Sequence, residues 1–161
     1  MIHHLSIAVK NPEHVAGVLT KLMGGWSRPF RMYPGSYQAF QLDDNGTQIE
    51  IYPAGLEIQP VSDRPGGLTP GTPRDPAYGP THFALSVRHS EEEVYAIMAA
   101  EDWLCRRNDR AEFPVIEVWI ENAMMFEVLP PDFAAKYLEV TQQTKREVLA
   151  ERTAAAISEA A

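Results

Sequence analysis

Thr81-His82-Phe83-Ala84-Leu85-Ser86-Val87 decides the reading of this chain, because it repeats the opening segment Ile2-His3-His4-Leu5-Ser6-Ile7-Ala8-Val9. Both alternate in character, as a strand with one buried face does. Leu5, Ile7 and Val9 point one way and His4, Ser6 and Ala8 the other. In the second copy Phe83, Leu85 and Val87 oppose His82, Ala84 and Ser86. The two copies share the string His-x-x-x-x-Val.

The segments downstream of the two copies also match. Asn11-Pro12-Glu13 reads as a helix start, with Asn11 as N-cap and Pro12 at the first helical position. Val15, Val18, Leu19 and Leu22 give that helix an apolar face, and Gly24-Gly25 ends it. Strands are expected at 26–32, 36–43 and 47–53, with Asp43-Asp44-Asn45-Gly46 as a hairpin turn. In the second half Ser90-Glu91-Glu92-Glu93 carries a capping-box pattern. Val94, Ile97 and Met98 line that helix. Strands are expected at 102–107, 113–120 and 123–130, with Glu121-Asn122 as the last tight turn. Each half is therefore strand, helix, three strands, and the repeat points to duplication of one supersecondary unit.

Residues 54–79 break the pattern. Five prolines (Pro60, Pro65, Pro70, Pro73, Pro76) with Gly66-Gly67 and Gly71 read as a long loop without regular structure, a linker or lid. The Ala- and Glu-rich tail 131–161 reads as a helix with sparse apolar positions beyond Leu149; Leu138, Val148 and Leu149 offer contact to the body or to a second subunit, and a low-complexity surface helix is the preferred reading. The expected organisation is a first βαβββ module (1–53), a linker (54–79), a second module (80–130) and a helical tail (131–161).

Composition bounds the function. The chain has 161 residues, 45% hydrophobic and 22% charged, with a net charge of −8. A surface of that sign repels phosphate backbones, so nucleic acid is not an expected partner. Cys105 is the only cysteine, which excludes an intrachain disulfide or a cysteine-based zinc cluster. The opening residues lack a basic stretch followed by an apolar run, and no stretch of about 18 apolar residues occurs. The cytoplasm is the expected location, with no membrane partner.

The faces then single out four residues. Gln48, Glu50 and Tyr52 share one side of the fourth strand and Ile49 and Ile51 the other; Met125, Glu127 and Leu129 oppose Phe126 and Val128. With the aliphatic sides against the helices, each opposite face carries one His and one Glu. His4 precedes Glu50 by 46 positions and His82 precedes Glu127 by 45. Two imidazoles and two carboxylates suit a divalent first-row metal with positions left for water or substrate. An unpaired Glu in a buried cleft would be costly, which motivates a cation there. Singly, any of these residues reads more readily as structural; the shared register selects them together. His3 has the wrong parity, and His14 and His89 fall at element edges. Tyr52, Arg107, Trp119 and Met125 are candidate pocket walls from their strand positions.

The paired βαβββ order, the two His-x-x-x-x-Val strands, Gln48-Ile49-Glu50-Ile51 and Met125-Phe126-Glu127-Val128 resemble the vicinal oxygen chelate superfamily over about residues 2–130. It includes glyoxalase I, methylmalonyl-CoA epimerase, extradiol dioxygenases and the fosfomycin and bleomycin resistance proteins. The resemblance implies an α+β fold: an open, U-shaped, eight-stranded mixed β barrel with flanking helices and the metal in its cleft. The set His4, Glu50, His82, Glu127 is most similar to that of glyoxalase I. The epimerase has Gln where this chain has Glu50, and extradiol dioxygenases lack a ligand there. Glyoxalase I carries on its first strand an Arg that contacts glutathione, where this chain has Ala8, so glutathione is not an expected co-substrate.

The expectation is a metal-dependent lyase, isomerase or epimerase of a small oxygenated metabolite. It uses nickel, cobalt, zinc or manganese before iron, with Glu50 or Glu127 as the base. The alternatives are a non-heme dioxygenase, disfavoured by the fourth ligand, and a metal-free binding or resistance protein. Metal analysis and oxygen uptake separate the three. Each module alone would expose its polar face, and five prolines favour a spread path for the linker, so a homodimer is expected.

Overall fold

The computed structural model describes residues 2–31, 33–59, 67–70, 81–110 and 112–159. In chain order they form β1 (His4–Val9), α1 (Pro12–Met23), β2 (Trp26–Pro29), β3 (Tyr37–Phe40), β4 (Gln48–Pro53), β5 (Leu56–Gln59), β6 (Gly67–Pro70), β7 (Ala84–Ser86), α2 (Glu91–Met98), β8 (Cys105–Arg110), β9 (Phe113–Ile120), β10 (Met124–Leu129) and α3 (Pro131–Glu159). Two four-stranded mixed sheets result, ordered β1-β4-β3-β2 and β7-β10-β9-β8. In each, the first strand runs parallel to the fourth, and the remaining pairs are antiparallel. The sheets are thus two copies of one topology.

Local chemistry fixes the elements. The Asn11 side chain accepts from His14 N–H at 3.2 Å, and Gly24 caps the end of α1 with φ 62°. Gly25 is required for a different reason: a Cβ there would lie 1.7 Å from the Phe40 carbonyl oxygen, so only glycine lets β2 start against β3. Ser90 and Glu93 close the capping box of α2. Glu121 and Asn122 take φ 50° and 55°, which bend β9 into β10 through the three-residue connection 121–123. That turn also ties the halves together. The Glu121 carboxylate accepts from the backbone N–H groups of Lys10 (2.6 Å) and Asn11 (2.7 Å).

The aliphatic faces meet the helices as the alternation requires. Ile7, Val9, Ile49 and Ile51 join Val15, Leu19 and Leu22 of α1 in one buried cluster, which continues through Leu85, Val94, Met98, Ile116, Phe126 and Val128. Each such side chain contributes roughly 1.5–3 kcal/mol by leaving water. His14 and His89 read as ordinary surface positions, yet they bridge the halves. His14 Nε2 lies 2.6 Å from Glu101 Oε2, and His89 Nε2 lies 2.9 Å from the Lys21 carbonyl.

Two expectations are corrected. Residues 54–79 are not wholly irregular, because β5 and β6 pair there as an antiparallel hairpin, with Leu56 opposite Pro70 and Gln59 opposite Gly67. Pro70 sits at the strand end, where a missing N–H is tolerated. The linker or lid reading otherwise falls on residues 60–66 and 71–79, outside the described residues. The strand expected at 102–107 lies at Cys105–Arg110: Asn122 draws 102–104 into the turn, accepting from Leu104 N–H (2.7 Å) and donating to the Asp102 carbonyl (2.6 Å). The tail is helical to Glu159, with Leu138, Val148 and Leu149 exposed. Among the described residues no helix is long and apolar enough to cross a membrane.

Candidate functional site

Strand register sorts side chains by face, because residues directly opposite each other project to the same side. In the first sheet Ser6 is opposite Glu50, Glu50 opposite Gln38, and Gln38 opposite Arg28. In the second, Ala84 is opposite Glu127, Glu127 opposite Glu117, and Glu117 opposite Arg106. His4 and His82 each lie two residues before the partner of their sheet's Glu. The two halves therefore place one His and one Glu in the same diagonal relation on the face turned from the helices. His4 and His82 also line one cavity of about 400 Å³, with Gln48, Leu129, Tyr137 and Leu138 among its walls.

The carboxylates have partners of their own. Glu50 Oε2 accepts from Tyr52 Oη (2.8 Å) and Ser6 Oγ (3.1 Å). Burial and the Glu50 carboxylate together push the Tyr52 phenol well above its ordinary pKa, so it stays a donor throughout the working pH range. Arg110 reaches Glu127 Oε1 through Nη2 (3.0 Å) and Nε (3.3 Å). Among the described residues no three His, Cys, Asp or Glu side chains converge closely enough to hold a metal. Of the four residues that the register singles out, His4 and His82 line the shared cavity, and Glu50 and Glu127 are not among its described walls.

Of the expected pocket walls, Tyr52 lies beside Glu50, and Met125 and Trp119 oppose each other on the face of Glu127. Arg107 does not join them. With β8 starting at Cys105, Arg107 is opposite the core residue Ile116, pairs with Glu91 of α2 (3.0 Å), and stacks over Phe133 of α3 (4.9 Å). Among the described residues, the cations on the polar face of the second sheet are Arg106 and Arg110, alternate positions of β8, the latter beyond the end of the strand expected at 102–107.

Glu117 is the residue that sequence reasoning passed over. It is 4% exposed and accepts from Asn108 (2.7 Å), Arg106 (2.9 Å) and Arg110 (3.1 Å). Burial works to raise its pKa, but Asn108, Arg106 and Arg110 outweigh it and hold the carboxyl below its ordinary value. The signal was present as one charge inside the apolar run Phe113-Pro-Val-Ile-Glu-Val-Trp-Ile120. Cys105 is the opposite case: burial pushes its thiol up to about 11, which leaves it unreactive.

This paired topology is shared with solved glyoxalase I and fosfomycin resistance protein structures. No family model matches the chain, and no curated protein matches it. Among solved structures, the chain is similar to the trypanothione-dependent glyoxalase I of Leishmania major: 16% identity, 91% of this chain and 98% of that one covered, TM-score 0.52. It is also similar to the fosfomycin resistance protein FosX of Listeria monocytogenes, complexed with Mn(II) and sulfate: 12% identity, 81% of this chain and 88% of that one, TM-score 0.52. At such identities the likeness speaks for the fold.

Proposed function

We propose that this chain is a divalent-metal-dependent lyase or isomerase of a small oxygenated metabolite, with His4, Glu50, His82 and Glu127 as the metal ligands. The observation that carries the reading is the matched register: the same His and Glu occur at the same diagonal on both sheets, on one face. Such matching has no role in the core, because both pairs point away from it. The donor chemistry fits a divalent first-row ion. The Mn(II) bound by the structurally similar FosX protein is in keeping with it. Because the two pairs do not converge within the described chain, we infer a homodimer in which a pair from one copy meets the other pair of the second copy.

The metal, when bound, would supply Lewis-acid polarisation of substrate oxygens. The chain's own residues handle the proton. Glu50 and Glu127 are the proton-transfer pair: a carboxylate removes the proton from a carbon next to a carbonyl and returns it to the neighbouring position. Tyr52 Oη and Ser6 Oγ fix the rotamer of Glu50, and Arg110 fixes that of Glu127. A metal-free binding protein is the second reading, supported by the partners that Glu50 and Glu127 already have.

The test is a screen of 2-oxoaldehydes with different thiols, run on metal-loaded and chelator-treated protein. Metal-dependent turnover of at least one adduct is expected, with little turnover of the glutathione–methylglyoxal adduct because Ala8 supplies no cation. Saturable binding that ignores the chelator, with no turnover, would favour the metal-free reading.

A further inference from the structure

The two polar faces differ at one step of an otherwise matched ladder. Arg106, Glu117 and Glu127 stand in register on the second sheet, where Arg28, Gln38 and Glu50 stand on the first. At the centre, a buried carboxylate is replaced by a buried amide. Glu117 consumes the charge of Arg106 and part of that of Arg110. Gln38 cannot do the same for Arg28.

Arg28 is nonetheless held in place. Its Nε donates to Gln38 Oε1 at 3.2 Å, and Gln38 Nε2 donates to Gln48 Oε1 at 3.4 Å. Gln38 is only 6% exposed, so this relay is built into the sheet. The guanidinium also lies against a stacked pair of rings, 5.7 Å from the Trp26 centroid and 5.3 Å from that of Phe40. A planar cation is thus oriented through Nε and two ring faces. Among the described residues no carboxylate pairs with it, which leaves its terminal N–H groups for a ligand. Arg28 is exposed, so a ligand can reach it.

We propose that Arg28 is the substrate-anchoring residue of this face and binds a carboxylate or phosphate-type group on the substrate. This rests on the proposed function only in taking the face of His4 and Glu50 as the substrate face. Two strand spacings separate Arg28 from Glu50, about 10 Å between their Cα atoms. A small acid anchored by Arg28 spans that gap and presents its reactive carbon near Glu50.

Inorganic phosphate and acetate are the probes, followed by the NMR signal of the Arg28 Nε–H. Each is expected to shift that signal saturably, and each to compete with the other. Arg28→Gln should weaken binding by about tenfold or more. Gln38→Glu should do the same with Arg28 still present, because it installs on the first sheet the neutralising acid of the second. Arg106→Gln should leave phosphate binding at Arg28 unchanged. The proposal is overturned if phosphate produces no saturable shift at Arg28, or if Arg28→Gln and Gln38→Glu proteins, folded by circular dichroism, bind it as wild type does. Metal content measured on the same samples separates the two readings: phosphate binding that persists in metal-free protein sustains this proposal even where the metal assignment fails.

Discussion

The first sheet and the second carry the same strands in the same order, yet they treat their polar faces in opposite ways. On the second, Glu117 is buried beneath Arg106, Asn108 and Arg110, and Arg110 extends the network to Glu127. On the first, the central position is Gln38, and among the described residues Glu50 accepts from two neutral donors, Tyr52 and Ser6. A duplicated unit can thus keep its fold while one copy closes its charges on itself and the other leaves a cation available. The difference resides in single residues on matched strands, because alternation lets one face change without disturbing the core on the other.

The largest expected effect tests whether the core faces are as alike as the register says. Phe126 occupies on β10 the position that Ile49 occupies on β4, and both are fully buried. Phe126→Ala should cost about 3–5 kcal/mol and Ile49→Ala about 2–5 kcal/mol. Urea denaturation measures both. A loss below about 1 kcal/mol at either site would mean that the two helix-facing layers are not equivalent.

Next in size is Glu117→Gln, which gives the second sheet the central amide of the first. It should cost about 1.5–3 kcal/mol near neutral pH, since two charged hydrogen-bond donors lose their carboxylate. The pH dependence has a definite sign. The folded pKa of Glu117 lies below 4.5, so its contribution is complete above that value and is lost as pH falls through the folded pKa. The gap between wild type and variant should therefore narrow in acid; a gap independent of pH would assign the effect to packing.

Tyr52→Phe is the milder counterpart on the first sheet. It removes one hydrogen bond, donated by a neutral hydroxyl to the partly exposed Glu50 carboxylate, and should cost about 1 kcal/mol. Thermal unfolding reads this, and a loss as large as that of Glu117→Gln would show that the two faces are equally networked after all.

The architecture was legible because it depends on period-two alternation and on caps, both of which are local. His4–Val9, the Asn11 cap, the Ser90 capping box and the Glu121-Asn122 turn all stand where their patterns put them. The hairpin of β5 and β6 was hidden because prolines and glycines signal a loop whether or not short strands pair between them. Arg107 was misjudged for a long-range reason: Arg106 and Arg107 are adjacent cations, and only the pairing with β9, which sets Arg106 opposite Glu117 and Arg107 opposite the core residue Ile116, decides which of them takes the polar face. The faces of the His–Glu pairs were legible from alternation, but the partners of their carboxylates were not. Tyr52 follows two residues after Glu50, whereas Arg110 reaches Glu127 across an intervening strand.

If His4 with Glu50 and His82 with Glu127 are equivalent halves of one metal site, they must contribute alike to holding the ion. Metal analysis of protein purified without chelator, compared with His4→Ala and His82→Ala proteins, tests this most directly. Wild type should carry close to one divalent ion per site, and each variant should lose it to a similar extent. Either variant retaining the wild-type metal content, or a wild type that carries none after exposure to nickel, cobalt, zinc and manganese, would contradict the assignment.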